Sequence, residues 1–170
     1  MKWWKTPQAA IAWTVLRIWL GIQWVEAGWH KIVDGFDAGG FLQGSIAKAT
    51  GEHPAVQSWY AGFLENFAVP NVGLFNFLIP WGEFLVGIGL IIGVATIPAL
   101  LAGAFMNLNF LLAGTTSTNP MLYTVAIILL FAGSGSYYWG GDRIILPYMK
   151  ERMNNKGNKL GNSNKHIHNH

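Results

Sequence analysis

Long apolar runs separated by short polar segments dominate the chain. About 20 mostly apolar residues in a helix cross the ~30 Å hydrocarbon layer of a membrane, and four runs are long enough to be interpreted in this way. The predicted spans are residues 8–30, 72–94, 97–114 and 120–139. The pattern therefore predicts an all-α integral membrane protein, built as a four-transmembrane-helix bundle.

The segment between the first two predicted spans also has a helical pattern. Val56, Trp59, Tyr60, Phe63 and Phe67 recur at helical spacing, and polar residues occupy other positions on the helical wheel. A helix of this kind lies in the membrane interface or caps a bundle. We therefore expect an amphipathic extracytoplasmic segment between the first and second spans.

The polarity of the chain changes near its end. Residues 1–153 form the predicted membrane domain, whereas residues 154–170 are polar, low in apolar content and predict a disordered cytoplasmic tail. Alternating histidines in the tail lack nearby acidic residues or further ligands, so we predict no metal site there. These histidines are His166, His168 and His170.

Composition and charge support the membrane interpretation. Only 11% of the residues are charged and 52% are hydrophobic, whereas roughly 25% are charged in ordinary soluble domains. Lysines and arginines lie mostly at the two ends, which favours both termini in the cytoplasm of a cell-membrane protein over nucleic-acid binding. A cleaved signal peptide is disfavoured, because Arg17 interrupts its apolar core and no small-residue cleavage site follows.

The chain contains no cysteine. This absence excludes disulfides, thiolate catalysis, zinc–thiolate sites and cysteine-ligated iron–sulfur clusters. Any redox chemistry must therefore pass through a bound cofactor or substrate.

Polar side chains inside the predicted spans indicate a candidate site. A charged side chain at the bilayer centre costs at least ~2.5–3.5 kcal/mol, so its presence is a functional hypothesis by default. With a helical rise of about 1.5 Å per residue, Arg17, Glu83 and Asn107 are expected at one depth, near the midplane. Arg17 and Glu83 are interpreted as a structural ion pair, as the polar part of a ligand pocket, or as both.

The first span has two polar faces at about 100° per residue. Gln23, Glu26 and His30 lie on one of them, towards the outer surface, as a solvated region or as a proton-accessible pair at the mouth of a site. The other face carries two glycines suited to close helix packing, so we expect it to point into the bundle. Its residues are Arg17, Gly21, Trp24, Gly28 and Lys31.

Several motifs, in order along residues 9–148, together resemble the DoxX/DoxD family of four-helix membrane proteins. They are "LRIWLGIQWVEAGWHKI", "HPAVQSWYAGFLENFAVPN", "IPWGEFLVGIGLIIGVAT", "GAFMNLNFLLAGTTSTNP" and "FAGSGSYYWGGDRIILP". The long outer segment is similar to the DoxD branch, the membrane half of thiosulfate:quinone oxidoreductase. The resemblance also places a family motif position at Asp142.

This resemblance implies a membrane subunit of a quinone-linked oxidoreductase, with quinone as its substrate or bound cofactor. It implies contact with the lipid bilayer and with another oxidoreductase subunit, allows a homo-oligomer and gives no role to nucleic acid. The alternatives are a non-catalytic membrane anchor or assembly subunit and, less favoured because no internal repeat is visible, a transporter. The assigned residues are Glu83 and Arg17 as catalytic groups and Asn107, Trp24, Lys31, Glu26 and His30 as quinone-binding groups.

Overall fold

The computed structural model describes residues 3–167, with side chains described through residue 155. The described part is all-helical, as predicted, and contains no strand. Its α-helices are α1 (Pro7–Val33), α2 (Ala38–Ala47), α3 (Ser58–Phe63), α4 (Val72–Ile92), α5 (Thr96–Leu112), α6 (Asn119–Ala132) and α7 (Asp142–Ile167).

The two longest apolar helices, α1 and α4, pack against each other along their length. Helix α1 begins where the Thr6 side chain accepts a hydrogen bond from the Ala9 amide, with a proline as the first helical residue. The backbones then approach so closely that a Cβ on Gly28 would lie 2.5 Å from the Phe84 nitrogen. A Cβ on Gly87 would lie 2.5 Å from the Val25 nitrogen. These glycines set the register of the pair.

One continuous helical run extends from Ser58 to Ile92 and includes α3 and α4. A π-helical turn, Leu64–Ala68, and a 3₁₀ turn, Val69–Asn71, join the two helices. Within residues 3–167 this run of 35 residues is the one helix long and apolar enough to cross a membrane by length and composition. Two shorter apolar helices, Thr96–Leu112 and Asn119–Gly135, follow it. The structure thus supports a membrane protein but does not confirm the four predicted spans.

The fourth predicted span, residues 120–139, is shorter than the sequence indicated. Helix α6 ends at Ala132, because Gly133 takes a positive φ of 56° and opens a 3₁₀ turn. A single residue in this conformation ends an α-helix, which is why glycine is common at such ends.

The predicted amphipathic segment is present, but its apolar residues do not share one buried face. Val56 and Tyr60 are buried, whereas Trp59, Phe63 and Phe67 are between 42% and 63% exposed. The regular α-helix here is only six residues long, and the π-helical turn that follows changes the angle between successive side chains. Tyr60, Phe63 and Phe67 nevertheless form a run of ring contacts and line one apolar cavity, so an apolar face of the segment is present.

The predicted disordered tail also differs from the structure. Helix α7 continues to Ile167, so the backbone of residues 154–167 is helical. A helix that has already formed extends by one hydrogen bond per added residue, and polar composition alone does not stop it. His168 and His170 lie outside the described residues.

Two apolar clusters build the interior. The larger cluster joins α1, α4, α5 and α6 around Leu20, Trp24, Leu90, Leu100 and Leu129, each at most 2% exposed. The smaller cluster joins α2 and α3 to the end of α5 and includes Leu42, Tyr60 and Ala113. A polar cavity lies in the bundle near the junction of the two clusters.

Candidate functional site

A short ion pair joins Lys31 of α1 to Glu83 of α4. The Lys31 Nζ donates to Glu83 Oε2 at 2.6 Å, and the side chains are 29% and 2% exposed. The carboxylate is thus removed from water, while the ammonium keeps partial access to it. A buried charge left without its partner is strongly destabilising, so this arrangement depends on both side chains.

The pair forms part of the wall of a cavity of about 370 Å³. This volume is in the range of sites that hold small organic ligands. Helices α1, α2, α4, α5 and α6 and the polar loop between α5 and α6 all contribute to the wall. The helical residues that line the cavity include Gln23, Trp24, Lys31, Phe41, Glu83 and Phe110.

Two buried side chains at this level have unpaired hydrogen-bonding atoms. The indole Nε1 of Trp24 and both amide atoms of Asn107 have no partner among the described residues. Buried polar groups are normally paired, and an unpaired one costs about 1–3 kcal/mol. Trp24 lines the cavity, and Asn107 lies one turn before Phe110, which also lines it. The Trp24 Nε1 atom packs against α5, where a Cβ on Gly103 would lie 3.2 Å from it, and Asn107 does not line the cavity.

Arg17 does not pair with Glu83. Its guanidinium donates to the backbone carbonyls of Leu90 and Trp139, each at 2.8 Å. Nearby, the Asp142 carboxylate accepts the backbone amides of Ala95 and Thr96 at 2.8 and 2.7 Å. These contacts fasten the start of α7 to the turn between α4 and α5, and the 370 Å³ cavity does not include Arg17.

The predicted common layer of Arg17 and Glu83 was therefore wrong, whereas Asn107 does lie near the level of Glu83. In the antiparallel α1–α4 pair, Gly21 lies opposite Gly87 and Gly28 lies opposite Pro80 and Phe84. This register places Glu83 about ten α1 positions from Arg17, or roughly 15 Å along the axis.

Glu26 and His30 lie on the exposed side of α1 and form no pair with each other. The Nδ1 atom of His30 instead lies 3.3 Å from Asp34 Oδ2, with both side chains more than half exposed. This is the solvated alternative for the outer face. Neither residue lines the cavity.

The structure also brings residues to the cavity that the sequence did not single out. Gln23 was placed on the outer face of α1, yet it lines the cavity beside Trp24. Phe41 comes from α2, a helix whose position the hydrophobic pattern did not reveal. The polar loop "TTSTNP" after α5 was the available signal, since it contributes Thr115, Ser117 and Thr118 to the wall.

Comparison with known proteins gives one match. A family model with the description DoxX matches residues 12–116, which include Trp24, Lys31, Glu83 and Asn107. No curated protein and no solved structure matches the chain.

Proposed function

Because the chain belongs to the DoxX family, a membrane family associated with quinone-linked oxidoreductase subunits, we propose that it binds a quinone head in the cavity beside Lys31 and Glu83. One observation carries the proposal: an ion pair with a buried carboxylate lines a ligand-sized cavity whose wall also includes Gln23 and the aromatic side chains of Trp24, Phe41 and Phe110. A quinone is an apolar ring with two carbonyl acceptors, which suits a wall that combines aromatic side chains with polar donors.

The bound quinone would supply a carrier that takes up two electrons and two protons. The Lys31 ammonium and the Gln23 amide are donors in the cavity wall that could bind a carbonyl oxygen. Glu83 lies within hydrogen-bond distance of Lys31, so its carboxylate is placed to accept and release a proton next to that donor. Because Lys31 remains 29% exposed, protons can reach the pair from the outer side of the protein. In this proposal Lys31 and Glu83 are the catalytic residues.

The electron donor is proposed to bind to a partner subunit. If the chain is of the DoxD-like type, the donor is thiosulfate, a dianion. Glu83 neutralises the charge of Lys31, and His30 lies beside Asp34, so neither provides a free cationic site. The chain also lacks the cysteine needed for a thiol adduct. Oxidation of thiosulfate would therefore take place on the partner, and the quinone held by this chain would accept the two electrons that the partner releases.

We also propose that α1, α4, α5 and α6 all cross the cell membrane, with both termini in the cytoplasm. The absence of cysteine allows a test with single introduced cysteines at exposed positions. In intact cells, Thr116→Cys is expected to react with a membrane-impermeant maleimide, whereas Lys150→Cys should react only after permeabilisation. The cysteine-free parent protein is the control. Equal labelling of both variants in intact cells would contradict this topology.

The Gln23 amide provides a direct test of ligand binding. Gln23→Leu should bind 2-methyl-1,4-naphthoquinone about fivefold more weakly in titrations of the purified protein, as expected for one lost hydrogen bond. Gln57→Leu is the matched control, because Gln57 is exposed and does not line the cavity. Unchanged affinity in Gln23→Leu would count against the site. If wild type binds no quinone but co-purifies with a soluble oxidoreductase, the anchor function is supported instead.

A further inference from the structure

A second cavity, of about 350 Å³ and almost wholly apolar, lies between α4 and α5 beneath α2 and α3. Leu78 of α4 and Phe105 of α5 lie on its outer edge and are 51% and 67% exposed. The cavity therefore opens sideways, on a surface that faces lipid if α4 and α5 cross the membrane. We refer to it as the lateral pocket.

The lateral pocket and the polar cavity share two aromatic side chains in their walls. Phe41 and Phe110 line both spaces, and their rings meet edge to face with centroids 6.1 Å apart. One comes from the outer helix α2 and the other from the end of α5. Because both rings border both spaces, rotation of these side chains is the movement that we expect to join the polar cavity to the apolar pocket.

The lateral pocket offers no binding site for a polar headgroup. Its polar side chains are Tyr60 and Asn109, and these satisfy each other through a hydrogen bond of 2.9 Å from the Tyr60 hydroxyl to Asn109 Oδ1. The Asn109 amide nitrogen donates to the Phe105 carbonyl at 2.8 Å. A phospholipid would thus have no partner for its headgroup here, whereas the adjoining polar cavity has donors for a small polar head.

We propose that the lateral pocket receives the isoprenoid tail of the quinone whose head binds beside Lys31 and Glu83. This inference rests on the proposed function and adds the tail site to it. Lipid chains are as apolar as the pocket, so transfer of the tail from the bilayer gains little from the hydrophobic effect. The pocket instead provides the apolar path that lets a tailed molecule place its head in the polar cavity.

Blocking the pocket should therefore weaken the binding of quinones that carry an isoprenoid tail and leave the binding of a tailless quinone unchanged. In Leu78→Trp, the larger side chain fills the outer edge of the pocket. We expect this variant to bind 2-methyl-1,4-naphthoquinone as wild type does. The same ring with a short isoprenoid chain should bind at least about tenfold more weakly, because the blocked pocket leaves no apolar space for the chain while the head occupies the polar cavity. Leu85→Trp is the matched control, because Leu85 is 63% exposed on the same helix and lies outside the pocket.

Each outcome of these titrations is decisive. Unchanged binding of the tailed quinone in a folded Leu78→Trp protein, or an equal loss for both quinones, overturns the tail site but leaves the proposed head site intact. If neither quinone binds to wild type, the head site and the tail site fail together. Loss of co-purifying phosphatidylcholine in Leu78→Trp, with tailed-quinone affinity unchanged, would assign the pocket to lipid. Phe105→Trp replaces Leu78→Trp if the latter does not fold.

Discussion

Replacement of Lys31 by methionine is expected to lower the free energy of unfolding by about 3 kcal/mol. The change leaves the Glu83 carboxylate, only 2% exposed, without its cation. Removing one partner of a buried ion pair typically costs about 3–5 kcal/mol, and the partial exposure of Lys31 favours the lower end of that range. Unfolding of the purified protein by titration with denaturing detergent measures the effect.

The double variant Lys31→Met, Glu83→Gln separates the structural role of the pair from its role in binding. With both charges removed, no unpaired charge remains in the bundle, and stability should return to within about 1 kcal/mol of wild type. The cavity would then lack both its cation and its proton-holding group. If the double variant is as unstable as Lys31→Met alone, the instability does not arise from the unpaired carboxylate.

Replacement of Arg17 by methionine is expected to destabilise the protein by about 3 kcal/mol without changing its affinity for quinone. The variant leaves the carbonyls of Leu90 and Trp139 without the guanidinium, and a hydrogen bond to a charged group contributes about 1.5–3 kcal/mol. Arg143→Met is the matched control. The Arg143 guanidinium is exposed and stacks on Tyr138 at 4.3 Å, a contact that contributes about 0.5–1 kcal/mol at such sites.

The opposite result for Arg17 would restore the catalytic role that the sequence suggested for it. A stable Arg17→Met protein that no longer binds quinone would place the guanidinium in the binding site. Thermal unfolding and quinone titration on the same preparation distinguish the two results, since a structural role changes the first measurement and a binding role the second.

The buried face of α1 could be predicted from the sequence. Helical spacing places Arg17, Gly21, Trp24 and Gly28 on one face, and all four are buried in the bundle. The same reasoning included Lys31, the partner that Glu83 has in the structure. Angular position around a single helix follows directly from the sequence, because the α-helical period is constant.

The pairing of these residues could not be predicted in the same way, because depth along the membrane normal depends on helix register. Centring each apolar run on the bilayer places Arg17 and Glu83 at the same level. The close contacts of Gly28 and Gly87 with the opposite backbones instead fix an offset that brings Glu83 towards Lys31. Helix α4 also belongs to a longer run that starts at Ser58, so its apolar centre does not mark the position at which it packs.

The position and lining of the cavity depend on tertiary structure even more than the pairing of Lys31 with Glu83 does. Phe41 reaches the cavity because α2 packs against α4 and the π-helical turn, and Gln23 lines it because the cavity extends around the side of α1. Neither residue has a local pattern that distinguishes it from a packed aromatic or a solvated amide. The π-helical turn after α3 likewise follows from packing, since its residues have ordinary helical spacing in the sequence.

Titration of 2-methyl-1,4-naphthoquinone into wild type and into the folded Lys31→Met, Glu83→Gln double variant tests most directly whether the Lys31–Glu83 cavity binds a quinone head. We predict that wild type binds the quinone and that the double variant binds it at least about tenfold more weakly, because the charged donor to the carbonyl is gone. Equal affinity of the two proteins would contradict the assignment of this site.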